Sequence, residues 1–205
     1  MFADLTIKEF LRETASSKPV PGGGSVAALA GALSAALSEM VANLTIGRKG
    51  YEELDNEMKE IVRETKKYRE KLVEYVDKDS DAYNGVMAAY KMPKETEAEK
   101  EKRSIEIQKS LKHATMVPLE VADDTFYLIQ LAGKVVRNGN KNAVTDGAVA
   151  TMMARTAVHS AIYNVKINLA SIKDNMFVDD VSKKLQTLEN KIDRLEKEIL
   201  SEIQL

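Results

Sequence analysis

Apolar residues recur every three or four positions along most of this chain, with polar and charged residues between them. Leu54, Met58, Ile61, Thr65, Tyr68, Leu72, Val76, Tyr83 and Met87 alternate in threes and fours and predict one long helix. Val181, Leu185, Leu188, Ile192, Leu195 and Ile199 follow a 4-3-4-3-4 spacing among charges. That narrow seam predicts a last helix beginning after Asp179, packed against the rest of the chain or against a second subunit. The stretch from about Val26 to about Ile46 reads differently, because small residues such as Ala27, Ala28, Ala30, Gly31, Ala32, Ser34 and Ser38 surround it. Small side chains let backbones approach closely, so this helix is expected at the centre, touched on several sides.

Capping boxes place two more helix starts. Thr6 with Glu9 opens a helix from Ile7 to about Ala15, and Thr96 with Glu99 opens another. The latter begins strongly charged, is expected to kink at Pro118 and runs on to about Gly133. Thr145 or Asp146 caps a further helix from about Gly147 to about Ile172. The expectation is an all-α, up-and-down bundle of about six helices with long central members. With no repeat and no dividing linker, residues 1–205 read as a single domain.

Composition narrows the function classes. Cys is absent, which removes thiol catalysis, disulfides and thiolate metal sites, and only two His are present. No metal-ligand spacing occurs, so no metal site is expected. A net charge of −2, with no basic stripe or base-stacking aromatics, argues against a nucleic-acid partner. The apolar run from Val26 to Leu37 begins late, is interrupted by Ser34, Ser38 and Glu39, and reads as too short and too polar to span a membrane. No secretory leader is visible in residues 1–20, so a cytoplasmic location is expected.

Three stretches carry candidate chemistry. Pro21-Gly22-Gly23-Gly24-Ser25 is a bare turn feeding a helix, with Ser25 expected as the N-cap. Unpaired N–H groups gather there, fit for a carboxylate, a phosphate or a flat ligand; a tight turn against a neighbouring helix is the plainer reading. Asp79 falls on the apolar stripe of the long helix, seven residues from Leu72, with Tyr83 and Asn84 nearby. A carboxylate on a core face needs partners or a task. Asp77 and Asp81 lie well round that helix. The loop from Arg137 to Gly147 ends at another helix start and offers Lys141, Asn142 and Asp146 to a ligand, or simply caps the helix well. Arg48 and Lys49 sit between Gly47 and Gly50, either in a binding loop or compensating a helix dipole. His159 shares a face with Met152, Thr156 and Tyr163 and reads as partly buried; His113 precedes the expected kink. Acid–base work would fall to Asp79, Asp146, Asp81, His159 or a Lys.

Pro21-Gly22-Gly23-Gly24-Ser25, Arg48-Lys49-Gly50-Tyr51, Asp79-Ser80-Asp81-Ala82-Tyr83 and Asn142-Ala143-Val144-Thr145-Asp146-Gly147 occur in this order. Together they resemble the cyclodeaminase/cyclohydrolase family, over nearly the whole chain. Thr145 stands where that family often has Ser. The resemblance implies a helical homodimer acting on a one-carbon tetrahydrofolate, with no cofactor beyond that substrate and a separate formiminotransferase as a candidate partner. Asp79, Asp146 and His159 are the catalytic candidates. Gly22, Gly23, Gly24, Ser25, Asp81, Tyr83 and Asn142 are implied around the substrate, with Arg48, Lys49 or Lys141 at its glutamate tail. Formiminotetrahydrofolate cyclodeamination is the leading expected activity. Methenyltetrahydrofolate hydrolysis on the same site, or a non-catalytic folate-binding module, are the alternatives.

Overall fold

The computed structural model describes residues 1–204, which form six α-helices and three short 3-10 turns. The helices are α1 (Ile7–Thr14), α2 (Gly23–Asn43), α3 (Asp55–Tyr90), α4 (Glu97–Asn138), α5 (Val144–Leu169) and α6 (Asn175–Ser201). No strand occurs among the described residues. Both expected capping boxes are present, at Thr6 and Thr96.

Side-chain partners show the up-and-down arrangement. Ser25 meets Val76 while Glu39 meets Arg69, so α2 and α3 run antiparallel. Tyr75 bonds Glu120 and Lys71 pairs with Asp124, setting α4 antiparallel to α3. Asn168 of α5 bonds the Ala114 carbonyl, and Ser34 of α2 bonds the Ala150 carbonyl. So α5 returns beside both α4 and α2. The small residues explain why α2 can touch three helices: a Cβ at Gly31 would lie 2.7 Å from Thr125 Oγ1 and 3.1 Å from Leu72 Cδ1. The heptad seam packs inward on the bundle, with Val181, Leu185, Leu188, Ile192 and Ile199 all buried.

Several boundaries differ from the sequence expectation. α4 continues past Gly133 to Asn138 and is helical through Pro118. α5 starts at Val144, so Thr145 and Asp146 are inside its first turn and Ala143 is the cap residue. α2 starts at Gly23 with Gly22 as cap, which puts Ser25 inside the helix. Beyond Asp79 the buried face of α3 shifts to Ala82, Val86 and Ala89, leaving Tyr83 and Met87 37% exposed. The reason is that α2 begins level with Asp79, so the last turns of α3 pack against α4 alone. By length and composition α2 is also apolar enough to cross a membrane, which the interrupted run did not suggest; most of its apolar stretch is buried in the bundle.

Candidate active site

The site starts from the bare turn. Val20-Pro21 is a cis peptide, and Gly22 leads into the first turn of α2. Without side chains on Gly22, Gly23 and Gly24, the N-terminus of α2 can lie directly against α3 and α5. Gly24 meets Asp79: a Cβ there would lie 2.7 Å from Asp79 Oδ2 and closer still to Oδ1. Gly23 meets Asn164, whose Nδ2 would be 3.3 Å from a Cβ. So the glycines allow a carboxylate from one helix and a carboxamide from another to close on one helix N-terminus.

A cavity of about 270 Å³ opens at this junction, lined by Pro19, Val20, Gly22, Gly23, Gly24, Asp79, Tyr83, Val86, Ala114, Asn164, Ile167 and Asn168. Asp79 is the one charged side chain among these lining residues. Burial pushes its carboxyl above the usual Asp range, and the Ser25 hydroxyl and backbone N–H act in the opposite sense. Ser25 Oγ lies 3.1 Å from Asp79 Oδ2. The two carboxamides are fixed from behind. Asn164 Nδ2 donates to the Ser160 carbonyl at 2.8 Å, and Asn168 Nδ2 donates to the Ala114 carbonyl at 2.8 Å. Each keeps its Oδ1 and one N–H for a ligand. The arrangement is a partly apolar hollow with one carboxylate and two neutral amides, suited to a flat heterocycle bearing positive charge.

Of the residues singled out in the sequence, Gly22, Gly23, Gly24, Ser25, Asp79 and Tyr83 meet here. A second group meets elsewhere. Asn140 donates through its backbone N–H to Thr45 Oγ1 at 2.8 Å and through Nδ2 to the Leu44 carbonyl at 3.1 Å. The Lys141 N–H donates to Tyr51 Oη at 3.2 Å. These bonds pin the loop carrying Arg48 and Lys49 to the loop carrying Lys141 and Asn142, with Asp146 partly buried just behind. This cluster sits at the C-terminal end of α2. A helix of 21 residues is about 31 Å long, so the two groups are separated by roughly that distance within one chain.

Two predicted residues lie in neither group. Asp81 lines a smaller hollow of about 180 Å³ with Glu106, Lys109 and His113, between α3 and α4. His159 Nε2 lies 2.8 Å from Asp193 Oδ1 on α6, and Arg155 Nε donates to the same oxygen at 2.7 Å. Its partner is therefore outside the Asp79 cavity. Asn164 and Asn168 were missed in the sequence. Their i, i+4 spacing marks one polar strip on α5, but only the pairing of α5 with α2 turns that strip toward the glycines.

Known proteins resemble this chain over most of its length. A family model described as formiminotransferase-cyclodeaminase matches residues 6–187. A methenyltetrahydrofolate cyclohydrolase of Methylorubrum extorquens is 40% identical over 188 residues, covering 92% of this chain and 90% of that protein. A formimidoyltransferase-cyclodeaminase of Rattus norvegicus is 33% identical over 185 residues; the match covers 90% of this chain but 34% of that longer protein. The fold matches a solved structure of formiminotetrahydrofolate cyclodeaminase from Thermotoga maritima with a TM-score of 0.89 and 34% identity, over 99% of this chain and 98% of that one. A relation this extensive in both sequence and fold places the chain in the formiminotransferase-cyclodeaminase family.

Proposed function

We propose that this protein is a formiminotetrahydrofolate cyclodeaminase, converting 5-formiminotetrahydrofolate to 5,10-methenyltetrahydrofolate with release of ammonia. The observation that carries the reading is Asp79, a half-buried carboxylate and the one charged side chain among the residues lining the cavity. N10 of the folate attacks the formimino carbon and a new C–N10 bond forms. The bond from that carbon to the exocyclic nitrogen then breaks. The formimino group enters protonated, as an amidinium, so the one proton lost by N10, carried by Asp79, is enough for the departing nitrogen to leave as ammonia. The product is a cation, and a carboxylate facing it in a partly apolar hollow stabilises the developing charge. Asn164 and Asn168 offer acceptors and donors to the edge of the heterocycle. No cofactor beyond the folate is required by this scheme.

The 40% identity to the Methylorubrum protein favours a second reading, methenyltetrahydrofolate hydrolysis. Water would then attack the same carbon, Asp79 taking its proton and passing it to N5 as the C–N5 bond breaks, which leaves a formyl group on N10 and releases one proton to solvent. Near-ultraviolet absorbance of the methenyl group separates the two. The first reading predicts faster appearance of the chromophore from 5-formiminotetrahydrofolate, with ammonia released. Enzyme-dependent loss of the chromophore from 5,10-methenyltetrahydrofolate alone supports the second. No rate above background with either substrate contradicts both.

We further propose that the working form is a homodimer joined through α2. Val26, Leu33, Met40 and Leu44 are exposed on one side of α2, with Leu29 and Leu37 half-buried between them. A helix that is apolar on every side calls for cover on every side. Two α2 helices meeting antiparallel would bring the Gly23 end of one beside the Gly47 end of the other. Arg48, Lys49, Lys141, Asn142 and Asp146 of one subunit would then face the cavity of its partner. There the basic residues would meet the glutamate tail, and Asn142 and Asp146 would orient the pterin.

A further inference from the structure

Ser25 is fully buried, and its Oγ has three partners within hydrogen-bond distance. The Val76 carbonyl lies at 2.8 Å, Asp79 Oδ2 at 3.1 Å and Ser80 Oγ at 3.2 Å. Ser80 is itself 2% exposed and Val76 is buried, so water does not compete for the two hydroxyls or for that carbonyl. A hydroxyl has one proton to give and two lone pairs to offer. Ser25 therefore cannot donate to Val76 and Asp79 together, and which one it serves depends on what Asp79 needs.

Two arrangements satisfy every group without moving a heavy atom. With Asp79 ionised, Ser25 donates to Oδ2 and Ser80 donates to Ser25. With Asp79 protonated, its carboxyl O–H donates to Ser25 Oγ, and Ser25 turns its own proton to the Val76 carbonyl. We infer that Ser25 is a positioning residue whose hydroxyl acts as a rotor, holding Asp79 in one place in both of its protonation states. This rests on the proposed role of Asp79 as a proton carrier, because only a group that changes protonation during turnover needs a partner that can reverse. The inference also explains why a serine is buried inside the first turn of α2, where it cannot serve as the cap.

The neighbours of Asp79 leave few competing titrations. α2 presents Gly23, Gly24 and Ser25, α4 presents Ala114, and α5 presents Asn164, Ile167 and Asn168. On α3 itself, Tyr83 is the other titratable group lining the cavity.

The test is a carboxyl ¹³C NMR titration of Asp79, assigned by comparison with Asp79→Asn, in the wild type and in Ser25→Ala. Kinetics follow in the same two proteins and in the Ser25→Ala, Asp79→Asn double variant. The expected result is an upward shift of the Asp79 midpoint by about one unit in Ser25→Ala, since both partnerships are lost and the bond to the ionised form is the stronger of the two. The turnover number should fall about tenfold or more with KM within about threefold, and Ser25→Ala should cost nothing further once Asp79 is Asn. Should Ser25→Ala fail to fold, Ser80→Ala reads the same chain, with a smaller upward shift expected. An unmoved midpoint overturns the inference, as does a loss of turnover that persists undiminished beside Asp79→Asn. Failure of the folate reading looks different: the wild type would turn over neither substrate while the midpoint still moved.

Discussion

At the scale of single residues, the account rests on a carboxylate held where a carboxylate is costly. Burial raises the Asp79 pKa, so the native state binds its proton more tightly than the unfolded chain does. Its contribution to stability is full below the unfolded pKa and is lost as pH rises through the raised native value. Above that value the ionised group is a load on the fold. Asp79→Asn should therefore leave the melting temperature unchanged or raise it, as thermal unfolding at pH 7 would show; a marked drop would mean that the charge is structural. Gly24→Ala makes the opposite demand. Its Cβ would enter the space of the Asp79 carboxylate, costing about 1–3 kcal/mol of stability and most of the activity. Chemical unfolding and a turnover assay measure both. Asp79 was legible in the sequence because one acid interrupts an apolar stripe. Ser25 was misplaced as a cap, because Gly22 takes that position with its backbone alone.

At the scale of elements, the helices were legible wherever their periodicity was strong. The heptad seam of α6 and the stripe of α3 as far as Val76 bury as the spacing requires. The reading failed where a neighbour ends. Tyr83 and Met87 continue the stripe numerically, but α2 begins beside Asp79 and does not reach them. His159 shows the same limit from another side, since the residue that engages it, Asp193, lies 34 positions away on α6. His159 and Arg155 together hold the Asp193 carboxyl below its usual range, with His159 the larger influence. The stability from that pairing is present above the ordinary Asp pKa and is lost as pH falls through the depressed native value. The pairing is largely exposed, so its contribution is under about 1 kcal/mol. His159→Ala is therefore expected to lower the melting temperature by no more than about 4 °C. Turnover should stay within about threefold of wild type; a loss of a hundredfold or more would return His159 to the reacting groups.

At the scale of the whole molecule, the two clusters of candidate residues sit at opposite ends of α2, farther apart than a folate with one glutamate extends. The sequence brought both to notice but gave no distance between them, since order along a chain does not report which helix end faces which. A dimer through α2 joins them, and this makes a quantitative prediction. Asp79→Asn and Asp146→Asn homodimers should each be severely impaired. Mixed and allowed to exchange subunits, they should recover about one quarter of wild-type activity, because half the dimers are hybrid and each hybrid restores one of its two sites. No recovery after verified exchange would mean that each site is built within one chain.

Folate chemistry at Asp79 is open to one direct comparison. Wild type and Asp79→Asn would be followed side by side for the methenyl chromophore formed from 5-formiminotetrahydrofolate. The account predicts turnover by the wild type and a loss of about a thousandfold in Asp79→Asn, with the variant still folded by circular dichroism. Near-normal turnover by Asp79→Asn would contradict it.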